Sequence, residues 1–267
     1  MRNIIFCMCA IALITLNSCQ EREGCTDPNA VNYDVLAQSE DNSCTFPNVQ
    51  LRFVPTIVVG EDTGRLGFGQ DYDINGLNVR FDQIRFYVDD ITLVTSKENF
   101  ESETIVLATE ADKSHDIGEL KVADLQELKF SVGVNSTRNH IAPELQPMNS
   151  PLFDNNSLSE NWDEDDGYIF FKIEGAVDVN GDGVYEQDMS EIMSIHCGLD
   201  DNLKTVTLPV TEQSINRVGY ELTVEVDVRG IFTDYDLPNK LFTRPDTIPQ
   251  PGIEIMNNVE NIFSIKE

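Results

Sequence analysis

Residues 178–188 read DVNGDGVYEQD, with oxygen-bearing side chains at alternate positions. Asp178, Asn180 and Asp182 fall at positions 1, 3 and 5 of an EF-hand-like calcium loop. Gly183 takes position 6, where the chain must turn sharply, and the Val184 carbonyl takes position 7. Alternating oxygens on a tightly curled backbone converge on a hard cation without needing flanking helices. Position 12, usually a bidentate Glu, is Met189, so Asp188 is the expected closing ligand, with Glu186 or water as substitutes. Calcium here would stabilise a hairpin rather than catalyse a reaction. The alternative is an acidic turn that holds no ion.

The three histidines are His115, His140 and His196, and no HxH, HExxH or CxxC spacing exists among the histidines and the six cysteines. In EIMSIHCGLDD, residues 191–201, His196 stands beside Cys197. If this stretch is a strand, Met193, Ile195 and Cys197 share one face, and Ser194 and His196 share the other. Cys197 then reads as a small buried hydrophobe, and the adjacent pair cannot easily ligate one ion. There is no GxSxG, no P-loop and no spacing that singles out two carboxylates, so no catalysis is expected.

The elements that must position these residues are strands. VQLRFVP alternates Val49, Leu51 and Phe53 with polar partners. VRFDQIRFYVDDITLV puts Ile84, Phe86 and Val88 on one face, then Ile91 and Leu93 after a bulge or bend. TIVLA, ELKFSVGV, YIFFKIEGAV, MSIHCGL, KTVTLPV and YELTVEVDVRGIF continue the pattern, and NNVENIFSI is the best helix candidate, with Met256 and Ile262 packing inward. The expected fold is all-β: an antiparallel β-sandwich with long irregular loops at 135–166 and 233–252. Lys and Arg total 18 against 47 Asp and Glu, a formal charge of −29. That field repels nucleic acid and attracts cations, so no nucleic-acid partner is expected.

The N-terminus, MRNIIFCMCAIALITLNSC, resembles a bacterial lipoprotein signal. Residues 1–18 would be cleaved and Cys19 acylated, making the membrane a partner through lipid. CQEREG resembles the surface-export signals of Bacteroidetes lipoproteins, and the expected location is the cell envelope: an outer-membrane lipoprotein, periplasmic or surface-exposed. Residues 19–48 then carry the anchor and a small module in which Cys25 and Cys44, close in sequence, form a disulfide. Closing that loop stabilises it by about 3 kcal/mol in the chain-entropy model. GCTDPNAVNYDVLAQSEDNSC resembles a short module of exported Bacteroidetes proteins that acts as a spacer or structural knob. Residues 49–267 form the sandwich domain.

Motifs within that domain follow a recognisable order: INGLNVRFDQIRFYVDDITLV, LKFSVGVNSTRNH, NWDEDDGYIFFKIEG, IHCG and VEVDVRGIF. The order resembles the MbnP-like family, periplasmic or surface copper-binding proteins related to a methanobactin-associated protein. In characterised relatives copper is held by histidines, in some with a kynurenine made by oxidising a tryptophan. The resemblance implies His140 and His196 as copper ligands and Trp162 as the oxidised-tryptophan candidate. It also implies a di-haem peroxidase or a copper-uptake receptor as partner. Glu164 stands where the family pattern has a second Trp, and IHCG replaces FHLG.

Two functions follow. One is a lipid-anchored protein that captures or stores copper without catalysis. The other is a structural or adhesive surface lipoprotein stabilised by calcium, with incidental histidines. Nitrogens of His140 and His196 within about 4–5 Å of each other, facing an open pocket, would favour copper, and placement at opposite ends of the sandwich would rule it out.

Overall fold

Alternate burial of Val49, Leu51 and Phe53 produces β1 (Asn48–Val59), the first long strand of a computed structural model. The structure describes residues 21–59, 62–111, 113–121, 125–153, 158–160, 162–211 and 219–266. The expected signal peptide and Cys19 lie outside the described residues. After β1 come β2 (Asp62–Arg65), β3 (Asp71–Ile74), β4 (Leu77–Thr95), β5 (Asn99–Glu101), β6 (Val106–Ala108) and β7 (Ser114–Glu119). Next are β8 (Leu125–Val132), α1 (Ser136–Asn139), β9 (Ile169–Asp178), β10 (Ile192–Gly198) and β11 (Lys204–Pro209). The chain closes with β12 (Tyr220–Asp227), β13 (Phe242–Thr243), α2 (Pro249–Val259) and β14 (Phe263–Ile265).

These strands make two sheets. The smaller runs β14-β12-β1-β2, with β7 also on β1; the larger runs β11-β8-β4-β9-β10-β13, with β3, β5 and β6 also on β4. Aromatic side chains lock the sheets face to face. Phe53 of the small sheet meets Phe86 and Phe130 of the large one edge-on at 5.4 and 5.6 Å, and Phe263 meets Phe130 at 5.3 Å. Each such pair adds about 0.5–1.5 kcal/mol beyond the area it buries.

The all-β sandwich expected from the alternation is present, with two differences. Its sheets are mixed: β1 pairs with β12 in parallel from Val49↔Tyr220 to Thr56↔Asp227, and β10 with β13 in parallel. Strands from opposite ends of a chain have no hairpin to force them antiparallel. The terminal helix also starts earlier than NNVENIFSI suggests. It spans Pro249–Val259, while Phe263–Ile265 is a strand on β12. Pro249 and Pro251 read as helix breakers, but the first turn of a helix has no N–H partners to lose. Met256 and Ile262 are both buried as expected.

The disulfide joins Cys25 to Cys44. Around it, Asp27, Asp34 and Asp41 each accept an N–H two residues on, from Asn29, Leu36 and Ser43. These local turns let the module hold shape with little core of its own.

Candidate metal centre

His196 sits on β10 opposite Lys172 of β9, and Ser194 sits opposite Glu174. All four share the face turned away from the aromatic core. Buried to 7% exposure, His196 places Nε2 at 3.2 Å from Glu174 Oε1 and 3.2 Å from Ser194 Oγ. A carboxylate only accepts, so Nε2 carries the proton. Among the described residues, Nδ1 makes no hydrogen bond. A ring held by a carboxylate on one nitrogen and open on the other is oriented as metal-binding imidazoles are. Lys172 Nζ reaches the same Glu174 oxygen at 2.9 Å. His196 first, and Lys172 after it, outweigh burial and bring the Glu174 carboxyl down to about 2.

His196 lines a cleft of about 30 Å³ together with Glu160, Asp166, Arg244 and Asp246. That is room for an ion or a water, not for an organic molecule. Burial first, then the neighbouring Asp163 and Asp246, raises the Asp166 carboxyl. The acids outnumber the cations on this rim.

His140 is positioned by a bulge in β4. Pairing with β8 slips between Asp89 and Thr92, and Asp90 takes φ +50°. The slip is the bend expected in FYVDDITLV. It turns Asp89, 1% exposed, and Asp90 toward the chain after β8. Asp89 accepts Asn135 N at 3.2 Å and Arg138 Nη1 at 2.6 Å, while Asp90 accepts Asn135 Nδ2 at 2.9 Å. This grip fixes the short α1, and His140 follows it. Both His140 ring nitrogens face acceptors, the Glu164 carbonyl at 2.6 Å and Asp200 Oδ2 at 3.0 Å. A ring donating to both carries two protons. Asp200 first, then Glu164, raises the His140 pKa.

Asn139 ties the region together. Its side chain accepts Tyr168 N at 2.8 Å and donates to Asp200 Oδ1 at 2.7 Å, and its carbonyl accepts Trp162 Nε1 at 3.0 Å. Gly167, at φ +73°, leaves the space that Asn139 fills, and it also lines the His196 cleft. Trp162 packs 6.2 Å from the Tyr168 ring. His140, through Glu164, and His196, through the cleft it shares with Asp166, therefore both border the segment 162–168 that carries Trp162.

Each of the two histidines is held by its own carboxylate, His140 by Asp200 and His196 by Glu174. Among the described residues, the only three His, Cys, Asp or Glu ligand atoms mutually within 4.8 Å belong to Cys25, Glu40 and Cys44, whose sulfurs are bonded to each other. His115 lies elsewhere, on β7 opposite Leu51. Cys197 is buried on the core face, and a Cβ added at Gly252 of α2 would come within 3.4 Å of its sulfur. The irregularity in β10 falls between Cys197 and Gly198, so His196 and Cys197 stay on opposite faces. Glu174, Lys172, Asn139 and Asp200 belong to this site, and no sequence motif marks them. Only the polar alternation of KIE and SIH hints at the first two.

A model of the MbnP family matches residues 47–255. The chain belongs to the MbnP family. Among solved structures, MbnP from Methylosinus trichosporium is similar at 16% identity, covering 70% of this chain and 77% of that one with a TM-score of 0.43. Comparison with curated proteins finds no match. In this MbnP-family chain the position of the pattern's second Trp, Glu164, is the residue whose carbonyl meets His140. Trp162, at the first Trp position, is anchored one residue before His140.

Proposed function

We propose that this MbnP-family protein is exported, anchored in the cell envelope by lipid on Cys19, and captures or stores copper without catalysis of its own. His196 and His140 are the copper ligands of this reading, and neutral imidazole suits the metal. The observation that carries it is the buried His196, oriented by Glu174 through Nε2 and with Nδ1 unbonded among the described residues, beside an acidic cleft of ionic size. His140, bordering the same segment 162–168, supports it. To bind through Nε2, His140 must leave Asp200 and give up a proton. Trp162, fixed beside His140, is the candidate for oxidation by a di-haem peroxidase. The alternative partner is a copper-uptake receptor that takes the cargo. The proposed location is the outer membrane, facing the periplasm or the surface.

Copper per chain, measured on purified full-length protein and on His140→Ala and His196→Ala, tests the reading. Loss of copper in both variants is expected. Unchanged copper content in both overturns it. Cys19→Ala should release the protein from the membrane fraction.

A further inference from the structure

The turn expected to hold calcium satisfies its carboxylates from within. Asp178 accepts the N–H groups of Gly181, Asp182 and Gly183, Glu191 those of Val179, Asn180 and Glu186, and Asp188 that of Ser190. Asn180 and Asp182 accept Asp182 N and Val184 N in the same way. Among the described residues, no three carboxylate oxygens of this turn lie within 4.8 Å of one another.

A larger feature lies beside the β4 bulge. The β5–β6 connection at 103–105 and the chain at 146–151 line a cavity of about 420 Å³, with Arg138 also in its wall. Sites for small organic molecules span roughly 300–1,000 Å³, whereas the His196 cleft, about 30 Å³, has room for an ion or a water. The two share no lining residue.

Among the described residues, Arg138 is the one cation lining this cavity. Its Nη1 donates to the buried Asp89 at 2.6 Å, which fixes the head group. Nη2 donates only to the Glu103 carbonyl, at a long 3.4 Å, and Nε makes no hydrogen bond among the described residues. Nε and Nη2 form one side of the planar guanidinium, and two parallel N–H groups there match a carboxylate. The Glu103 carboxylate stands 3.7 Å from Nη2, beyond hydrogen-bond reach, on a fully exposed side chain.

The rest of the wall is uncharged. Gln146, 7% exposed, donates through Nε2 to the Arg138 and Ile141 carbonyls and so ties the loop to α1. Pro147 and Pro151 add apolar surface. The Asn149 amide and the Ser150 hydroxyl hydrogen have no acceptor among the described residues.

We propose that this cavity binds a small organic monocarboxylate with a compact apolar body. Its carboxylate displaces that of Glu103 and takes the Nε and Nη2 hydrogens of Arg138, while Asn149 and Ser150 donate to a carbonyl or hydroxyl further along the molecule. Exchanging one carboxylate for another leaves the charge around Arg138 unchanged in a protein of formal charge −29. A phosphate dianion would add to that charge.

Chelator-treated full-length protein titrated with N-acetyl-L-leucine tests the site, because that molecule carries one carboxylate, one amide and one branched apolar side chain. Saturable binding is expected, at least about tenfold tighter than that of N-acetyl-L-leucinamide, which lacks the charge. Glu103→Gln, at an exposed position, should tighten binding of the acid about two- to fivefold by removing the competing carboxylate. Asn149→Trp, also exposed, should fill part of the cavity and weaken binding at least about tenfold without changing the melting temperature. Arg138→Gln should abolish binding, but it also unpairs Asp89, so the two exposed variants decide. No saturable binding of N-acetyl-L-leucine by about 10 mM overturns the site. Equal affinity for acid and amide, or wild-type affinity in Asn149→Trp, overturns it too. Glu103→Gln without any gain overturns the displacement.

Discussion

His196 and Glu174, on neighbouring strands, are joined by one hydrogen bond of 3.2 Å that orients the imidazole and ionises the carboxyl. The carboxyl's folded pKa lies below its unfolded value near 4.5. Its contribution is therefore complete above that pH and is lost as pH falls toward 2. Glu174→Gln should cost about 2 kcal/mol at pH 7, and the difference from wild type should shrink over that acidic window. Urea midpoints at neutral and acidic pH measure it. A difference that does not change with pH would show that Glu174 acts through packing alone.

His140 behaves in the opposite sense. Asp200 and the Glu164 carbonyl raise its pKa above 6.5, so its stabilising contribution is full below 6.5 and fades as pH rises through the folded value. NMR titration of the imidazole should place its midpoint above 6.5, and Asp200→Asn should lower it. A midpoint unmoved by Asp200→Asn counts against the pairing.

Asp89 holds the approach to His140 from inside the β4 bulge. Asp89→Ala should cost about 2–3 kcal/mol, because it removes the buried carboxylate that pairs with Arg138 at 2.6 Å and leaves the Asn135 N–H without its acceptor. The segment 135–146 should then become sensitive to limited proteolysis. Equal protection in variant and wild type would mean that the bulge does not hold the loop.

Burial pushes the Cys197 thiol up, out of the range where it would react at neutral pH. Native protein should resist thiol reagents and react once unfolded. Cys197→Ser should cost about 1–3 kcal/mol by burying a hydroxyl among core side chains, without changing copper content. Rapid labelling of the folded protein would contradict the packing.

Much of this molecule is legible one strand at a time. Alternation at Val49, Leu51 and Phe53, and at Met193, Ile195 and Cys197, identifies β1 and β10 and separates Cys197 from His196, because side-chain direction in a strand depends only on position parity. Asp-x-Asn-x-Asp-Gly marks its turn for the same local reason, and Cys25 and Cys44 find each other across a short loop. The early start of α2 is hidden by prolines that the first helical turn tolerates.

What tertiary structure alone decides is which side chains converge. Asp200 reaches His140 across 60 residues, Asn139 reaches Tyr168 across 29, and β12 finds β1 in parallel from the far end of the domain. Glu191 rather than Asp188 turns into the loop because three N–H groups of the folded turn receive its carboxylate. Each of these placements depends on hydrogen bonds between segments that meet only after the sheets have packed, and no local pattern of residue types encodes that meeting. His196 follows the same division. Its face of the strand is set by parity, and its partner Glu174 and its acidic cleft exist only because β9, β10 and the surrounding loops come together.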